Sequence, residues 1–477
     1  MEELRTNRDR VVAADLVELR LDYVRDPDVT AALAGRRLPV LVTCRPTWEG
    51  GRFDGPEELR LALLEEALEM GADYVDIEWQ SGLDDLIRAR KGRNIVISMH
   101  DFKDVPRDLA DRYQAMRSTG AEVVKIAVTA NCLSDTLALL DLSARMTRGE
   151  PHVLIAMGAA GVVTRVLPDR FGSSWTYAGE GVAKGQIDLG RLLEEFRFRA
   201  ISGSADVYGV LGSPLLHSLS PVMHNAGFGA LAKDAIYLPL EARDIDDFTT
   251  FADAFGIRGV SVTAPFKEAM VMRVSTIDEL GEQIGAINTV RIEEDGWRGI
   301  NTDVPGFLEP LDGRLELDRS RAVVLGSGGA ARSVVVALAS CGASVTVCAR
   351  NPDKAQRVAE LVDGDVQLLP PAGGSWDLLI NTTPVGTYPD IDATPMPSGS
   401  FDGRLVYDLV YNPAVTRLLE DAKKSGCETI GGLSMLVAQA ERQFEWWTSN
   451  QPPVGLFRKV AERQLERFFL AETPHKF

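Results

Sequence analysis

The apolar positions of this chain change period along its length. From the start to about residue 200, short runs rich in Val, Ile and Leu alternate with longer stretches where apolar residues recur at helical spacing. The short runs are Val17–Asp22, Pro39–Arg45, Tyr74–Trp79, Asn94–Asp101, Val123–Val128, Val153–Gly158 and Ser174–Gly179. Helical stretches between them include Pro56–Met70, Asp104–Thr119, Ser134–Met146 and Leu189–Ala200. Nearly continuous, β-branched runs separated by helices predict a parallel sheet covered by those helices. Seven or eight such units in roughly 200 residues predict an α/β fold of the (β/α)8-barrel type rather than an open sheet. Glu2–Ala14 reads as helix, so the first barrel strand is expected to be shortened or missing. The gap would then close by approach of Val17–Asp22 and Ser174–Gly179, or by residues 1–7 lying extended across it.

In such a barrel, polar residues at the strand C-termini converge on one mouth. Glu18, Arg20, Arg45, Glu78, His100, Lys125 and Arg165 all occupy such ends. A single Lys or His there is an ordinary rim residue, whereas ionisable groups at successive ends point to a site. A lysine among arginines is expected to have a lowered pKa, because like charge and desolvation both disfavour ammonium. Its neutral amine can form an imine with a ketone, an electron sink for the neighbouring carbanion. His100 can move a proton near neutral pH, and Arg165 offers a fork for a carboxylate. Aldolases and dehydratases remain equally open on this chemistry.

The segments around these residues are more specific. Val17–Asp22, Arg45 with Glu49-Gly50-Gly51, Ser98–Phe102, Lys125-Ile126-Ala127, Gly161–Arg165, Phe171-Gly172-Ser173 and Gly185-Gln186 together resemble type I 3-dehydroquinate dehydratase over residues 1–200. The resemblance implies loss of water from 3-dehydroquinate to give 3-dehydroshikimate. It implies Lys125 as the imine lysine, His100 as general acid–base and Glu49 as the partner that orients it. Glu18, Arg20, Arg45, Arg165 and Gln186 are implied as ligands of the substrate's hydroxyls and carboxylate. Val182-Ala183-Lys184 stands before Gly185-Gln186 where the family carries Ser or Thr and then Pro, so one hydroxyl contact is expected to be lost.

After the expected closing helix Leu189–Ile201, Ser202-Gly203-Ser204-Ala205 reads as a joint, and a new strand begins at Asp206. Further on, Val323–Gly326 and Ser327-Gly328-Gly329-Ala330-Ala331 form a strand, a glycine turn and a helix N-terminus, which brings backbone N–H groups to a pyrophosphate. The next strand, Ser344–Cys348, ends in Ala349-Arg350 with Lys354 one turn on, where an NAD-binding domain places an acid. A cation without that acid suits a 2′-phosphate, which favours NADP. Lys267 and Asp303 could relay a proton to an alcohol oxygen while hydride passes to or from a nicotinamide. In isolation they would read as a surface salt bridge.

Their surroundings change that reading. His217-Ser218-Leu219-Ser220-Pro221, Ser261–Lys267, Gly285–Thr289, Gly299–Gly306, the glycine loop, Asn381–Gly386, Asp408–Pro413 and Gly432–Gln439 resemble shikimate dehydrogenase over residues 206–470. The resemblance implies Lys267 and Asp303 as the catalytic pair. It implies Ser218, Ser220, Thr263, Asn288, Tyr411 and Gln439 as substrate ligands, and Gly326, Gly328, Gly329, Ala330 and Arg350 as the NADP site. Ser261 and Ala349 stand where Asn is usual in the family. The expected division is a barrel at 1–203, then a two-lobed α/β dehydrogenase. Its substrate domain spans 204–306, completed by 433–477, and its Rossmann domain spans 307–432. Trp446-Trp447 reads as packing.

Composition narrows the partners. A chain of 477 residues exceeds a single core. The net charge of −18 argues against nucleic acid and anionic membrane, whose fields it would meet with the same sign. No apolar run approaches a membrane span, and the first residues carry no signal segment. Five scattered cysteines lack metal-ligand spacing and read as reduced thiols, so no metal and a cytoplasmic setting are expected. The combined expectation is a bifunctional enzyme of consecutive shikimate-pathway steps, with 3-dehydroquinate, 3-dehydroshikimate and shikimate as its small-molecule partners. The alternatives are a dehydrogenase beside a weakened or inactive barrel, one that takes quinate or NAD, and a binding protein on enzyme folds. Retention of Lys125, His100, Lys267 and Asp303 speaks against the last. The oligomeric state is left open.

Overall fold

Six of the seven apolar runs in the first half become strands: β1 (Val17–Arg20), β2 (Val40–Thr43), β3 (Tyr74–Glu78), β4 (Ile95–Asp101), β5 (Val123–Thr129) and β6 (His152–Met157). They pair in parallel and in chain order. Every position of β2 and of β6 is buried, as strands covered on both faces require. Covering helices run over Glu57–Glu69, Leu109–Arg117 and Leu137–Arg145. The computed structural model describes residues 1–147, 149–179, 185–215, 218–371, 374, 376–397 and 400–472, in two compact units, Met1–Ser204 and Ala205–Phe477.

Three expectations for the first unit need correction. Ser174–Gly179 is not a ladder strand. Its start meets β6, where Ser174 N–H donates to His152 O (2.8 Å) and Leu154 N–H donates to Ser173 Oγ (2.9 Å). Its end turns to Ile187, to which Ala178 forms an isolated bridge. The run still fills the sheet's interior, since Trp175 and Tyr177 pack on the buried cluster of Leu41, Val96, Val123, Ala127, Val153 and Ile155. Trp175 reaches across to Tyr74 on β3, ring centroids 5.6 Å apart. Residues 1–7 do not lie extended: Glu2–Arg10 is helical, tied down by Arg8, which donates to Ala34 O at 3.0 Å. The closing helix is also shorter, Leu189–Glu194, because Arg197 takes a left-handed conformation (φ 54°) that a helix does not continue through.

In the second unit, β7 (Asp206–Gly212), β8 (Ala235–Glu241), β9 (Ile257–Val262), β10 (Thr276–Ile277), β11 (Thr289–Glu293) and β12 (Gly296–Ile300) form a sheet in the order β10-β12-β11-β9-β7-β8. Only β11 runs antiparallel to its neighbours. β13 (Arg321–Leu325), β14 (Ser344–Cys348), β15 (Asp365–Gln367), β16 (Leu378–Asn381), β17 (Leu405–Asp408) and β18 (Glu428–Gly431) form an all-parallel sheet in the order β15-β14-β13-β16-β17-β18. That strand order is the doubly wound dinucleotide-binding arrangement, with its crevice at the C-terminal end of β13.

The last helices, Leu433–Thr448 and Leu456–Glu472, pack back on the first of these sheets through an aromatic core of Phe228, Tyr237, Phe444, Trp447 and Phe457. Trp447 Nε1 donates to Val290 O at 3.0 Å, and Arg291 lies 4.4 Å over the Trp446 ring, so the pair is packing as expected. All five cysteines are free. Among the described residues no helix is long and apolar enough to cross a membrane, and no cluster of His, Cys, Asp or Glu could hold a metal ion.

Candidate active sites

The first unit gathers a charged network from just past β2, from within β3 and β5, and from β4. Arg45, just past β2, donates from Nη1 to Glu78 Oε1 (2.8 Å) and Ser98 Oγ (2.7 Å), and its Nη2 lies 2.9 Å from Asp76 Oδ2. Lys125 on β5 donates to the same Asp76 oxygen at 2.9 Å. Arg60 reaches Glu78 from behind. The pairing of β3, β4 and β5 sets Glu78 opposite Ser98 and Ser98 opposite Lys125, with Asp76 two residues before Glu78 on the same face of β3.

Glu49 and His100 form a second pair. One Glu49 oxygen accepts the His100 backbone N–H (3.0 Å) and contacts its Nδ1 (2.8 Å). The tautomer that satisfies this contact carries its proton on Nδ1 and leaves the Nε2 lone pair open. Burial, then the charges of Arg45 and Lys125, hold the His100 pKa well below the usual imidazole value, so the ring is neutral at pH 7. Burial also pushes Glu49 up to about 7, against the pull of Arg45. The His100 ring stacks on Phe102, centroids 5.9 Å apart, and Gly50 gives that ring its room: a Cβ there would meet it at 2.5 Å.

Lys125 contradicts the expectation of a depressed pKa. Burial, the largest single influence, favours the neutral amine, but Asp76, Tyr177 and Glu18 together outweigh it, and the lysine titrates above its ordinary value. The arginines expected to repel it are occupied: Arg45 by Asp76 and Glu78, and Arg20 by a two-pronged bond to Asp22 at 2.8 and 2.7 Å. Glu18 accepts from Thr43 Oγ1 at 2.7 Å. Arg165 is buried on the short helix Val162–Val166 after β6, and burial pulls its pKa down to about 10. Gln186 folds back against Gly179, where a Cβ would meet its Nε2 at 2.8 Å. Val182, Ala183 and Lys184 lie outside the described residues.

The second unit builds its site around Lys267 Nζ and Asp303 Oδ2, 2.6 Å apart. Asn288 Nδ2 donates to Asp303 Oδ1 (2.7 Å), Thr302 Oγ1 (2.9 Å) and Gln439 Oε1 (3.3 Å). The Asn288 Oδ1 accepts Thr302 N–H at 2.8 Å, so the amide cannot turn over without losing bonds on both sides. Below it, Gln443 Nε2 donates to Thr289 Oγ1 (3.0 Å), Ser261 Oγ to Gln443 Oε1 (2.7 Å) and Tyr237 Oη to Ser261 Oγ (2.6 Å). Ser261, which stands in place of the usual Asn, therefore keeps a polar role in a buried chain. Ser220 opens the helix Ser220–Ala230 next to Ser218, whose Oγ accepts its N–H at 3.4 Å. Thr263 follows β9 and abuts Gly212, where a Cβ would strike its methyl at 2.4 Å. Tyr411 packs against the aromatic core beneath the last helices. His217 lies outside the described residues.

The residues of the glycine loop fit a dinucleotide. Gly326 has φ 121° and passes so close to Thr382 that a Cβ would meet its Oγ1 at 2.4 Å. Gly328 faces open space and, as the N-cap of Gly329–Ser340, offers no side chain to the first-turn N–H groups, which leaves them for a pyrophosphate. A Cβ on Gly329 would lie 3.3 Å from Lys267 Cδ, so this helix start, with Ala330 in its first turn, adjoins the lysine. Arg350 is exposed beyond β14, as a 2′-phosphate ligand needs, and Asn351 caps the following helix through Lys354 N–H (3.0 Å).

Two groups central to these sites escaped the sequence. Asp76 has period-two spacing with Glu78 in an otherwise apolar strand, and two inward carboxylates there are the signal that would have found it. Gln443 lies one helical turn beyond Gln439 on the same face of its helix.

Models of known families match along the chain: type I 3-dehydroquinase over residues 1–202, the shikimate dehydrogenase substrate binding domain over 210–290 and the shikimate 5′-dehydrogenase C-terminal domain over 432–462. The chain is 32% identical to the chloroplastic bifunctional 3-dehydroquinate dehydratase/shikimate dehydrogenase of Arabidopsis thaliana, over 96% of this chain and 82% of that protein. It is 37% identical to the shikimate dehydrogenase (NADP(+)) of Methanothermobacter thermautotrophicus, over 56% of this chain and 99% of that protein. Among solved structures, shikimate 5-dehydrogenase of Thermus thermophilus, in complex with NADP(H) and shikimate, shares 35% identity with a TM-score of 0.50, over 54% of this chain and 99% of that one.

Proposed function

The chain belongs to the family of bifunctional 3-dehydroquinate dehydratase/shikimate dehydrogenases, and from that premise we propose that it catalyses both steps. It dehydrates 3-dehydroquinate to 3-dehydroshikimate and reduces that product to shikimate with NADPH. The observation that carries this is two lysine centres, each with its proton-handling partners within its own unit.

In the dehydratase, Lys125 forms the imine with the substrate ketone. His100, neutral and held through Nδ1 by Glu49, takes the adjacent proton on Nε2 and returns it to the departing hydroxyl. Glu18, Arg20, Arg45, Arg165 and Gln186 are the substrate-binding set in this reading. Arg45 acts from within the network, whereas Arg165 is the carboxylate fork.

In the dehydrogenase, bound NADPH supplies the hydride. Lys267 hands a proton to the carbonyl oxygen as it becomes an alcohol, and Asp303 aims the ammonium. Asn288 fixes the Asp303 carboxylate and, with Gln439, Ser218, Ser220, Thr263 and Tyr411, holds hydroxyls and carboxylate. Gly326, Gly328, Gly329 and Ala330 take the pyrophosphate, and Arg350 takes the 2′-phosphate. The domain division of this reading is 1–203, then 204–306 with 433–477, and 307–432. Its partners are these small molecules rather than nucleic acid or membrane, in the cytoplasm, consistent with a net charge of −18 and free cysteines.

The direct test is incubation with 3-dehydroquinate and NADPH. Shikimate should accumulate as NADPH is consumed. Accumulation of 3-dehydroshikimate alone would leave only the barrel active, and shikimate formed only from added 3-dehydroshikimate would leave only the dehydrogenase. Cofactor choice has its own measurement. A charge-assisted hydrogen bond is worth roughly 1.5–3 kcal/mol, so Arg350→Ala should weaken NADPH about 10- to 100-fold and barely change NADH. An equal loss for both cofactors contradicts 2′-phosphate recognition.

A further inference from the structure

The dehydratase mechanism leaves the group nearest its lysine without a role. Asp76 is fully buried, and one of its oxygens lies 2.9 Å from both Lys125 Nζ and Arg45 Nη2. Its other oxygen accepts from Ser98 Oγ, which fixes the carboxylate's rotation. The Tyr177 ring presents its face to the same ammonium, 4.5 Å from Nζ to the centroid. A carboxylate and an aromatic face both stabilise positive charge. Glu18 adds to their effect at Lys125, and Arg45 opposes it. His100 stands with Arg45 and Lys125 around Asp76.

A structural ion pair is already complete without the lysine, because Arg45 bonds Asp76, Glu78 and Ser98 together. Lys125 adds a cation that needs a counter-charge, and the reaction returns that charge to the same atom once the imine has formed. The ammonium and the ketone become a protonated imine and water. One ammonium proton leaves before the neutral amine attacks; in the sum, two of the three depart with the carbonyl oxygen as water and the third stays on nitrogen. The net charge is unchanged, and no outside acid or base is consumed. The protonated imine is also the better electron sink when the neighbouring C–H bond breaks.

We propose that Asp76 is a positioning residue that stabilises the cation on Lys125 Nζ on both sides of the attack, as ammonium in the resting enzyme and as protonated imine after it, with Ser98 fixing its orientation. The proposal rests on the reading of Lys125 as the imine lysine. It makes Asp76, rather than a set of repelling arginines, the group that tunes the nucleophile.

The test uses the full chain with Asp76→Asn, which preserves size and a hydrogen bond to Ser98 but removes the charge. The readouts are the mass added at Lys125 by borohydride with 3-dehydroquinate, and the pH profile of dehydratase kcat. The adduct should still form, kcat should fall about 100-fold, and the alkaline limb should move to lower pH by about one to three units, the effect of an opposite charge at this distance. Ser98→Ala should move the limb the same way by less. An unshifted limb in folded Asp76→Asn, with only KM raised, overturns the proposal. Should Asp76→Asn fail to fold, Ser98→Ala decides, and an unshifted limb there overturns it. Absence of a reducible adduct in the wild-type protein would instead sink the Lys125 reading, which keeps the two failures apart.

Discussion

Lys125→Ala should abolish dehydration of 3-dehydroquinate while NADPH-dependent reduction of 3-dehydroshikimate continues near its wild-type rate. Without the amine there is no imine and so no electron sink. The loss should exceed the roughly 10²–10⁴-fold that a positioned acid–base contributes by itself. The other activity is spared because Lys267, Asp303 and the glycine loop all belong to the second compact unit. Borohydride added with 3-dehydroquinate should inactivate the wild-type barrel and place substrate mass on a peptide containing Lys125. The variant should take up none. Active protein with unchanged mass after reduction would remove the imine from the mechanism.

The outcome at Lys125 also marks where sequence reading stops. Strands β1 to β6 were legible because each carries a short run rich in Val, Ile or Leu, and that property is local. The run Ser174–Gly179 has a similar pattern, yet its backbone hydrogen bonds go to β6 at one end and to Ile187 at the other. A residue pattern does not carry that choice of partners. The helix over Leu189–Ala200 was overextended for a related reason: the Arg197 turn is set by how the chain leaves the barrel rather than by propensity. Charge balance is less local still. Asp76 meets Lys125 from 49 positions away, and Glu49 meets His100 from 51. The ionisable groups at the strand ends could be read from strand ends alone, but which of them pair could not. The expected lowering at Lys125 failed because Asp76, which Lys125 shares with Arg45, together with Tyr177 and Glu18 outweighs burial and the opposing charge of Arg45.

Lys267→Ala should lower dehydrogenase turnover by about 10²–10⁴-fold, the range of a general acid–base, with a much smaller change in KM. The separation of kcat from KM follows from the geometry. Lys267 Nζ is held at 2.6 Å by Asp303, whose second oxygen is held at 2.7 Å by Asn288, itself fixed by Thr302. The ammonium is thus aimed before substrate arrives, and the helix start at Gly329 lies against its side chain, where a hydride donor would have to be. Substrate carboxylate and hydroxyls meet other groups, Ser218, Ser220, Thr263 and Gln439 in this reading, so binding survives the loss of the amine. An interaction made mainly in the transition state lowers kcat and kcat/KM together, whereas one made equally in the ground state raises KM alone. Steady-state rates with 3-dehydroshikimate and NADPH distinguish these. Turnover near wild type with only KM raised would make Lys267 a substrate ligand and move the proton to another donor. A loss in kcat accompanied by normal dehydration of 3-dehydroquinate in the same preparation would assign the proton transfer to Lys267.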